Sequence, residues 1–539
     1  MATKQNLALN VGILGHVDSG KTSLAKVLST VSSTAAFDKN PQSKQRGITI
    51  DLGFSSVQLP LPPHLQSSGF QQLHLTLVDC PGHASLIRTI IMGAEIVDFV
   101  LLVVDVVKGI QTQTAECIVI AEITCDKMII VLNKVDLISV ENRKATIEKV
   151  SKRILKALEK TKFANSPIVA VAAKPGGGDI HEDKWTEPIG IDDLLKSLSQ
   201  LSFLPERNRS NPFLMAVDHC FLIRGQGTIV TGTILQGCVK LNETIEIPSI
   251  NVTKKVKSIQ MFKKPIEEAI QGDRIGICVT QFDQKLLERG VICAPGYLNK
   301  LYAVIVSTKK VPYFKGSCKT KSKFHISIMH DTVMARVTFF QGVQTKWNEF
   351  NFDQEYKHLN ELDEVTDSND RYTHALLEFE QPVLATNGVL FIASKLDTDI
   401  HANVCRLAFH GRVIDTFKEK NYHETSLQKL KVFKLKTKEG VVERIANEYE
   451  VIGKALFKKQ ANIECFKGLK VTLSTGDEGI IDGSFGQSGK VKIRIPKGLK
   501  DYKYLIDAKK EKSSEKTPIA IYLTFKRYSY DKTKKIVQT

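Results

Sequence analysis

The sequence predicts a multidomain protein in which an N-terminal α/β domain is followed by three β-barrel-type domains. Three observations carry that expectation: the length, a change of hydrophobic period near residue 210, and a change of charge near residue 429. A chain of 539 residues has room for three or four domains at roughly 150 residues each. From residue 7 to about 205, short apolar runs alternate with longer helical patterns, as in a parallel sheet with crossover helices. The strand candidates are Leu7–Leu14, Leu73–Asp79, Phe99–Asp105, Met128–Leu132 and Ile168–Val171. Helical stretches lie between them at Lys21–Thr30, Thr112–Glu122 and Ala145–Lys160, and another begins near Ile191.

The polar segment from Pro205 to Pro212 is bounded by prolines and reads as a linker. After it the period becomes two, with β-branched strands and Gly-containing turns, as in Gly225 to Ile234. The expected domains are residues 1–207, a first barrel over 208–298, a second over 299–428 with an acidic, polar insertion near Asn360–Tyr372, and a basic β domain over 429–539. Strand patterns in the last domain fall at Leu469–Leu473, Val491–Ile495 and Ile519–Thr524.

A hydrophobic share of 42% and a charged share of 25% are those of a folded chain and exclude collagen-like or mucin-like readings. The net charge of +17 points to a polyanionic partner, with nucleic acid the commonest kind. Residues 429–539 hold 26 basic and 13 acidic side chains, so this last fifth carries +13 and the rest only +4. Ten single cysteines with no CxxC pair fit a reducing compartment rather than a disulfide or zinc framework. The N-terminus lacks the pattern of a signal peptide, and the longest apolar run, Ile96 to Val107, is broken by Asp98 and Asp105 and is shorter than the ~20 residues of a membrane span. A cytoplasmic protein without membrane association is expected, and the basic tail could also serve nuclear import.

Gly15-His16-Val17-Asp18-Ser19-Gly20-Lys21-Thr22 follows a strand and opens a helix, the context a GxxxxGK[ST] match requires. Backbone N–H groups from Asp18 to Ser23 would face phosphate oxygens at a helix N-terminus, Lys21 would neutralise the terminal phosphates, and Thr22 would ligate Mg²⁺. Asp79-Cys80-Pro81-Gly82 ends a strand, where the carboxylate can hold Mg²⁺ through water and the Gly82 N–H can meet the γ-phosphate. In Asn133-Lys134-Val135-Asp136 the Asp136 carboxylate can accept from the N1–H and the exocyclic amine of guanine, a pair that adenine does not offer. Ala172-Ala173-Lys174 would close the base pocket through the Ala173 N–H and the Lys174 stem. The first domain is therefore read as a P-loop GTPase domain that uses GTP/GDP and Mg²⁺.

Arg46-Gly47-Ile48-Thr49-Ile50 lies between these motifs, and Thr49 can coordinate Mg²⁺ only while the γ-phosphate holds its loop, an order–disorder switch. His83, directly after Gly82, is the candidate catalytic residue that orients the attacking water.

Together these motifs resemble the translational GTPases, and the order α/β domain, barrel, barrel resembles the branch that delivers aminoacyl-tRNA to the ribosome. That resemblance implies an apolar gate of Val17 and Ile48 beside His83, with the ribosome pushing His83 into place. The family's third base-binding element usually begins with Ser, so Ala172 is a departure that affects one contact. Val217-Asp218-His219-Cys220-Phe221, Gly272 to Cys278, Arg406 to Gly411 and the basic C-terminal domain are similar to the eukaryotic selenocysteine-specific elongation factors. This closer resemblance covers the whole chain. It implies a monomeric GTPase that carries selenocysteinyl-tRNA to the ribosome at UGA codons, with Asp218, His219 and Arg274 forming the aminoacyl pocket.

A free thiol has a pKa of about 8.5; a selenol is more acidic and is mostly a selenolate at neutral pH. Cations at Arg274 and His219 would favour that anion over the neutral hydroxyl of seryl-tRNA, and Asp218 would orient a cation or bind the α-amino group. A desolvated Arg274 without an anionic partner costs several kcal/mol, so serine would also be rejected by the unpaired charge. The residues alone leave a second reading open, in which Asp218 and Arg274 are a structural ion pair across the barrel.

In the C-terminal domain, Lys526-Arg527-Tyr528-Ser529-Tyr530 with Lys532, Lys534 and Lys535 mixes aromatics and cations in the manner of RNA contacts, against the plainer reading of a solvated face. Bacterial relatives carry winged helices here that read an mRNA hairpin, whereas this segment is strand-rich. The resemblance implies a separate mRNA-hairpin-binding protein as partner. Against a bulk elongation factor stand the long C-terminal domain and the basic pocket; against the tRNA-carrying subunit of an initiation factor stands the absence of a Cys-rich knuckle. Lys21, Thr49, Asp79 and His83 together argue against a module that binds nucleotide without turnover.

Overall fold

The structure is a computed structural model that describes residues 6–29, 31–32, 52–81, 96–176, 187–262, 264–342, 349–362, 372–397, 405–486, 489–500, 502, 518–531 and 536–538. Ile48, Thr49, Gly82, His83, residues 363–371 of the polar insertion, and Lys532, Lys534 and Lys535 lie outside the described residues. The chain forms two compact units: residues 1–337, 362–366 and 376–418 make the first, and residues 338–361, 367–375 and 419–539 the second.

The first unit begins with the α/β domain. Its strands are β1 (Asn6–Gly15), β2 (Val31–Ser32), β3 (Gly53–Pro60), β4 (Gln72–Asp79), β5 (Phe99–Asp105), β6 (Met128–Asn133) and β7 (Ile168–Ala170). They form one sheet in the order β2-β3-β4-β1-β5-β6-β7. From β4 to β7 all neighbours are parallel, and β3 runs antiparallel to β4, an extension of the sheet that the sequence pattern does not reveal. Every residue of β5 and β6 is buried, which is why these strands are unbroken apolar runs: helices cover both faces of a parallel sheet. Among the described residues the helices are α1 (Lys21–Leu28), α2 (Thr112–Thr124), α3 (Val140–Leu158) and α4 (Ile191–Leu201). Helix α3 turns Val150, Ile154 and Leu158 inward at helical spacing and leaves its charges in solvent.

The first barrel contains β8 (Leu214–Ile223), β9 (Gly227–Gln236), β10 (Cys238–Lys240), β11 (Thr244–Ile247), β12 (Val252–Met261), β13 (Lys264–Ile266), β14 (Glu268–Ile270), β15 (Arg274–Val279) and β16 (Gly290–Cys293). The sheet β11-β16-β8-β9-β15-β12 closes through β12 on β11, so no edge is left open. Its interior holds Met215, Val230, Ile247, Ile259, Ile277 and Ile292. Strands Asn299–Lys310, Lys323–Ile328, Asp331–Gln341, Thr373–Ala385, Leu390–Ser394 and Leu407–Phe417 close in the same manner, through Lys323–Ile328 on Asp331–Gln341.

Polar contacts fix the α/β domain against the first barrel. Asn10 donates its side-chain N–H to the Gly272 carbonyl at 2.9 Å, and the Asp98 carboxylate accepts from Arg207 of the linker at 2.7 and 2.8 Å and from the Asn10 N–H at 2.8 Å. Burial pushes the Asp98 carboxyl up, and Arg207 opposes that shift. The φ of +86° at Gly272 favours glycine, and a Cβ there would lie 2.5 Å from the Arg207 guanidinium, which would have to move. Helix α2 also meets the second barrel, where Glu116 accepts from Arg406 Nε at 2.9 Å and Nη2 at 2.8 Å, with both side chains no more than 6% exposed.

The second unit contains a further closed barrel. Strands Val432–Asn447, Glu450–Lys454, Lys490–Arg494, Glu478–Phe485, Lys470–Leu473 and Ala520–Tyr528 follow one another, and the last returns to the first. Val451, Ile481, Ile493, Ile521 and Leu523 fill it. Lys526 donates to Glu355 at 2.6 Å and lies over the Phe433 ring, and Tyr528 is bound to the same carboxylate. These two members of the basic-aromatic cluster therefore make internal contacts, while Arg527 is exposed.

Removing one partner of the Glu116–Arg406 pair leaves the other charge buried and uncompensated. Arg406→Met is expected to destabilise the first unit by about 3–5 kcal/mol, and Glu116→Leu combined with Arg406→Met to recover most of that loss. Thermal and urea unfolding of the two variants checks this.

Candidate functional site

The phosphate-binding loop leaves β1 and enters α1. Its conformation needs two residues in the left-handed region, Asp18 at φ +58° and Gly20 at φ +90°. At Gly20 a Cβ would stand 2.2 Å from the Asn133 side-chain nitrogen, so only glycine fits. The Lys21 ammonium reaches back across the loop to the Gly15 and His16 carbonyls at 3.1 and 2.7 Å. Burial pulls its pKa down and Asp79 opposes that shift. A buried cation held by neutral carbonyls gains from an anion brought to the loop, and a phosphate supplies one. The Ser19 hydroxyl is buried and makes no hydrogen bond among the described residues, a polar group left for a ligand at the same loop. Asp18 is exposed and Val17 and Ser23 are half-buried around the loop.

Thr22 Oγ1 donates to Asp79 Oδ2 at 2.7 Å. The first turn of α1 and the end of β4 thus bring a hydroxyl and a carboxylate oxygen together beside the loop. Hard oxygen donors in this arrangement fit Mg²⁺, which keeps several waters and takes few protein ligands. Thr49, Ile48, Gly82 and His83 cannot be placed against this pair, because they lie outside the described residues.

The base end is assembled at the tips of β6 and β7. The Asn133 side chain donates to the Ser19 carbonyl at 2.9 Å and accepts from the Ala173 N–H at 3.1 Å, so it ties the phosphate loop to the Ala172–Lys174 turn. Lys134, at φ +66°, pairs with Asp105 at 2.9 Å. Burial raises the Asp105 carboxyl, and hydrogen bonds from Lys134, Lys108 and Val107 more than reverse this. Asp136 accepts from the Gly176 N–H at 3.0 Å, which fixes its carboxylate beside the turn that carries Lys174. Asp105 and Gln113 are contributors that the motifs do not mark. Gln113 accepts from the Val17 N–H at 3.3 Å and so braces the loop from α2. No sequence signal separates this glutamine from a solvent-facing one.

In the first barrel, the pairing of β8 with β9 slips between Val217 and His219, so Asp218 is the extra residue of a β-bulge. A bulge re-aims side chains. Here Asp218 meets Arg274, the first residue of β15, in a two-pronged pair of 3.1 and 2.5 Å. Arg274 is 6% exposed, and its guanidinium carbon lies 3.3 Å from the centroid of the Phe54 ring, which comes from β3 of the α/β domain. Arg274 also lines a cavity of about 100 Å³ with Phe221, Gln226, Thr231, Gln260 and Phe262. Phe262 in turn stacks on His74 of β4 at 4.2 Å. Asp218 and His219 line a neighbouring cavity of about 50 Å³ with Phe54, Arg289 and His330. The structure therefore brings Asp218 and Arg274 into contact and places His219 in the adjoining cavity. The sequence does not mark Phe54, since a single aromatic residue in a strand reads as core.

Four family matches cover most of the chain: the elongation factor Tu GTP binding domain at residues 6–219, elongation factor Tu domain 2 at 227–293, the third domain of the eukaryotic selenocysteine-specific elongation factor at 305–411, and the eEFSec C-terminal RIFT domain at 428–534. The chain is 49% identical to the selenocysteine-specific elongation factor of Mus musculus, over 98% of this chain and 99% of that protein. It is 34% identical to the protein of the same description from Methanocaldococcus jannaschii, over 89% of this chain and 93% of the relative. Among solved structures, SelB from Methanococcus maripaludis bound to the GTP analogue GPPNHP matches with a TM-score of 0.68 at 28% identity, covering 97% of this chain and 98% of the other. With a relative 49% identical along nearly its whole length, the chain belongs to the family of selenocysteine-specific elongation factors, a family of translational GTPases.

Proposed function

We propose that this protein binds selenocysteinyl-tRNA in its GTP-bound form, delivers it to the ribosome at UGA codons, and is released by ribosome-stimulated hydrolysis of GTP. The observation that carries the aminoacyl part is the buried Arg274, which lines a cavity in the first barrel while Asp218 and Phe54 hold it. A guanidinium kept out of water favours an anionic side chain over a neutral one of similar size, and the selenolate is the anionic member of the selenocysteine–serine pair.

In this reading Lys21 and the loop from Asp18 to Ser23 bind the phosphates, and Asp136, Ala173 and Lys174 hold the guanine, with Asn133 and Lys134 bracing both ends. Thr22, Thr49 and Asp79 hold Mg²⁺, the last through water; when bound, the ion offsets charge on the β- and γ-phosphate oxygens. His83 orients the water that attacks the γ-phosphorus, and Val17 and Ile48 keep His83 out of place until the ribosome engages. The same reading takes the protein as a cytoplasmic monomer that works with a separate mRNA-hairpin-binding protein through the C-terminal barrel, whose sequence carries most of the net positive charge.

The deciding experiment is binding of the GTP-loaded protein to selenocysteinyl-tRNA and to seryl-tRNA on the same tRNA body, at one fixed salt concentration. A strong preference for the selenocysteinyl form is expected; equal affinity would remove the pocket from the account. Arg274→Ala is expected to weaken selenocysteinyl-tRNA binding by about 10- to 100-fold, the range for lost charged hydrogen bonds, and to leave seryl-tRNA nearly unchanged. An equal loss for both would make Arg274 purely structural. His83→Ala is expected to keep GTP affinity and to lower ribosome-stimulated hydrolysis by about 10²- to 10⁴-fold in single-turnover kinetics.

A further inference from the structure

We infer that Phe54, a residue of the GTPase domain, is a positioning residue for selenocysteine selection: its ring is the platform that holds the Arg274 guanidinium in the orientation that reads the anionic side chain. The inference rests on the reading of Arg274 as the anion-selecting cation and deepens it.

The geometry supplies the argument. The guanidinium carbon of Arg274 is 3.3 Å from the Phe54 ring centroid, which is face-to-face stacking, and Phe54 is 1% exposed. Asp218 takes Nη1 and Nη2 at 3.1 and 2.5 Å. A guanidinium has five N–H donors in one plane, and a two-pronged carboxylate uses two of them. The carboxylate fixes that edge but leaves the plane able to rotate about the line joining the two groups. An aromatic face packed on one side stops this rotation, and it attracts the cation without using any of the three remaining donors. Those donors stay directed by the plane that ring and carboxylate define together, and Arg274 is one of the residues that line the cavity.

The two groups that fix Arg274 come from different domains: Asp218 sits on a bulge of the barrel's own strand β8, and Phe54 sits on β3. In the pairing of β3 with β4, Phe54 lies opposite Val78 and Gly53 lies opposite Asp79, whose carboxylate binds Thr22 of the phosphate loop. The ring on Arg274 is thus carried one residue from the strand position opposite Asp79. Isolated from the GTPase domain, the barrel would retain the ion pair and lose the platform. Selectivity therefore belongs to the docked pair of domains.

The test uses the full-length, GTP-loaded protein. Phe54→Leu and Phe54→Met keep apolar bulk without an aromatic face, and Phe54→Tyr keeps the face. Affinities for selenocysteinyl-tRNA, seryl-tRNA and GTP are measured for each, with thermal unfolding as a check on folding. For the Leu and Met variants, selenocysteinyl-tRNA affinity is expected to fall by about 3- to 30-fold, the range a desolvated cation–π contact spans, with seryl-tRNA and GTP affinities unchanged, and Phe54→Tyr is expected to restore the preference. If the Leu and Met variants keep the full preference, or if all three variants lose both aminoacyl-tRNAs together, Phe54 only fills space and the inference is overturned. If the unsubstituted protein shows no preference, the reading of Arg274 falls and this inference falls with it. A preference that is intact in the unsubstituted protein and in the Leu variant overturns the role of Phe54 alone.

Discussion

A guanidinium that is almost wholly removed from water is the constraint around which the first unit is arranged. Arg274 is held by a carboxylate on one edge and by an aromatic ring on one face. Neither alone meets the cost of desolvating the charge, because a buried ion is tolerated only when pairing and further contacts replace most of its hydration. The carboxylate needs the bulge at Asp218 and the ring needs β3 to run antiparallel beside β4. The irregular strand in the barrel and the antiparallel extension of the GTPase sheet are therefore parts of one electrostatic solution.

The same economy of charge recurs at the other joints within this unit. Asp98 with Arg207, and Glu116 with Arg406, each close a contact between domains with a buried or half-buried pair that is hydrogen-bonded on more than one atom. Such pairs add little net stability compared with apolar contacts of the same size, but they are intolerant of misplacement, since a shift of about an ångström leaves a charge unpaired. They fix how the barrels are oriented on the α/β domain. Gly272 shows how strict the fit is, because one added carbon would displace Arg207.

At the nucleotide site, the division between contact and bracing is clearer than the motifs suggest. Lys21, Thr22 and Asp79 cluster at the phosphate end. Asn133 and Lys134 are engaged with Ser19, Ala173 and Asp105, so much of the base motif's chemistry goes into linking the loops that frame the pocket. A rigid frame of this kind holds the loop in one conformation. Gln113 extends this frame to α2, and less than one turn further along that helix Glu116 and Arg406 join the second barrel.

The α/β class, the barrel class and the phosphate and base motifs were legible in the sequence because each is written in local spacing: apolar runs of strand length, a period of two, glycines and a lysine at fixed intervals before a helix. The positions of Lys21, Thr22, Asp79, Asn133 and Asp136 around one site follow from strands ending on the same edge of a parallel sheet, which the alternation of elements already implied. Asp218 and Arg274 were identified as possible partners, but their register was hidden, because a bulge leaves no mark in the hydrophobic pattern. Phe54, Gln113, and the joining of Glu116 to Arg406 were decided only by tertiary structure. Each depends on which face of one domain meets another, and residues 220 or 290 positions apart share no local code. The sequence determined the chemistry available at each site, since side-chain type and loop spacing are local properties. Which of those groups confront one another was settled by packing, where the cost of leaving a buried charge alone selects a single arrangement.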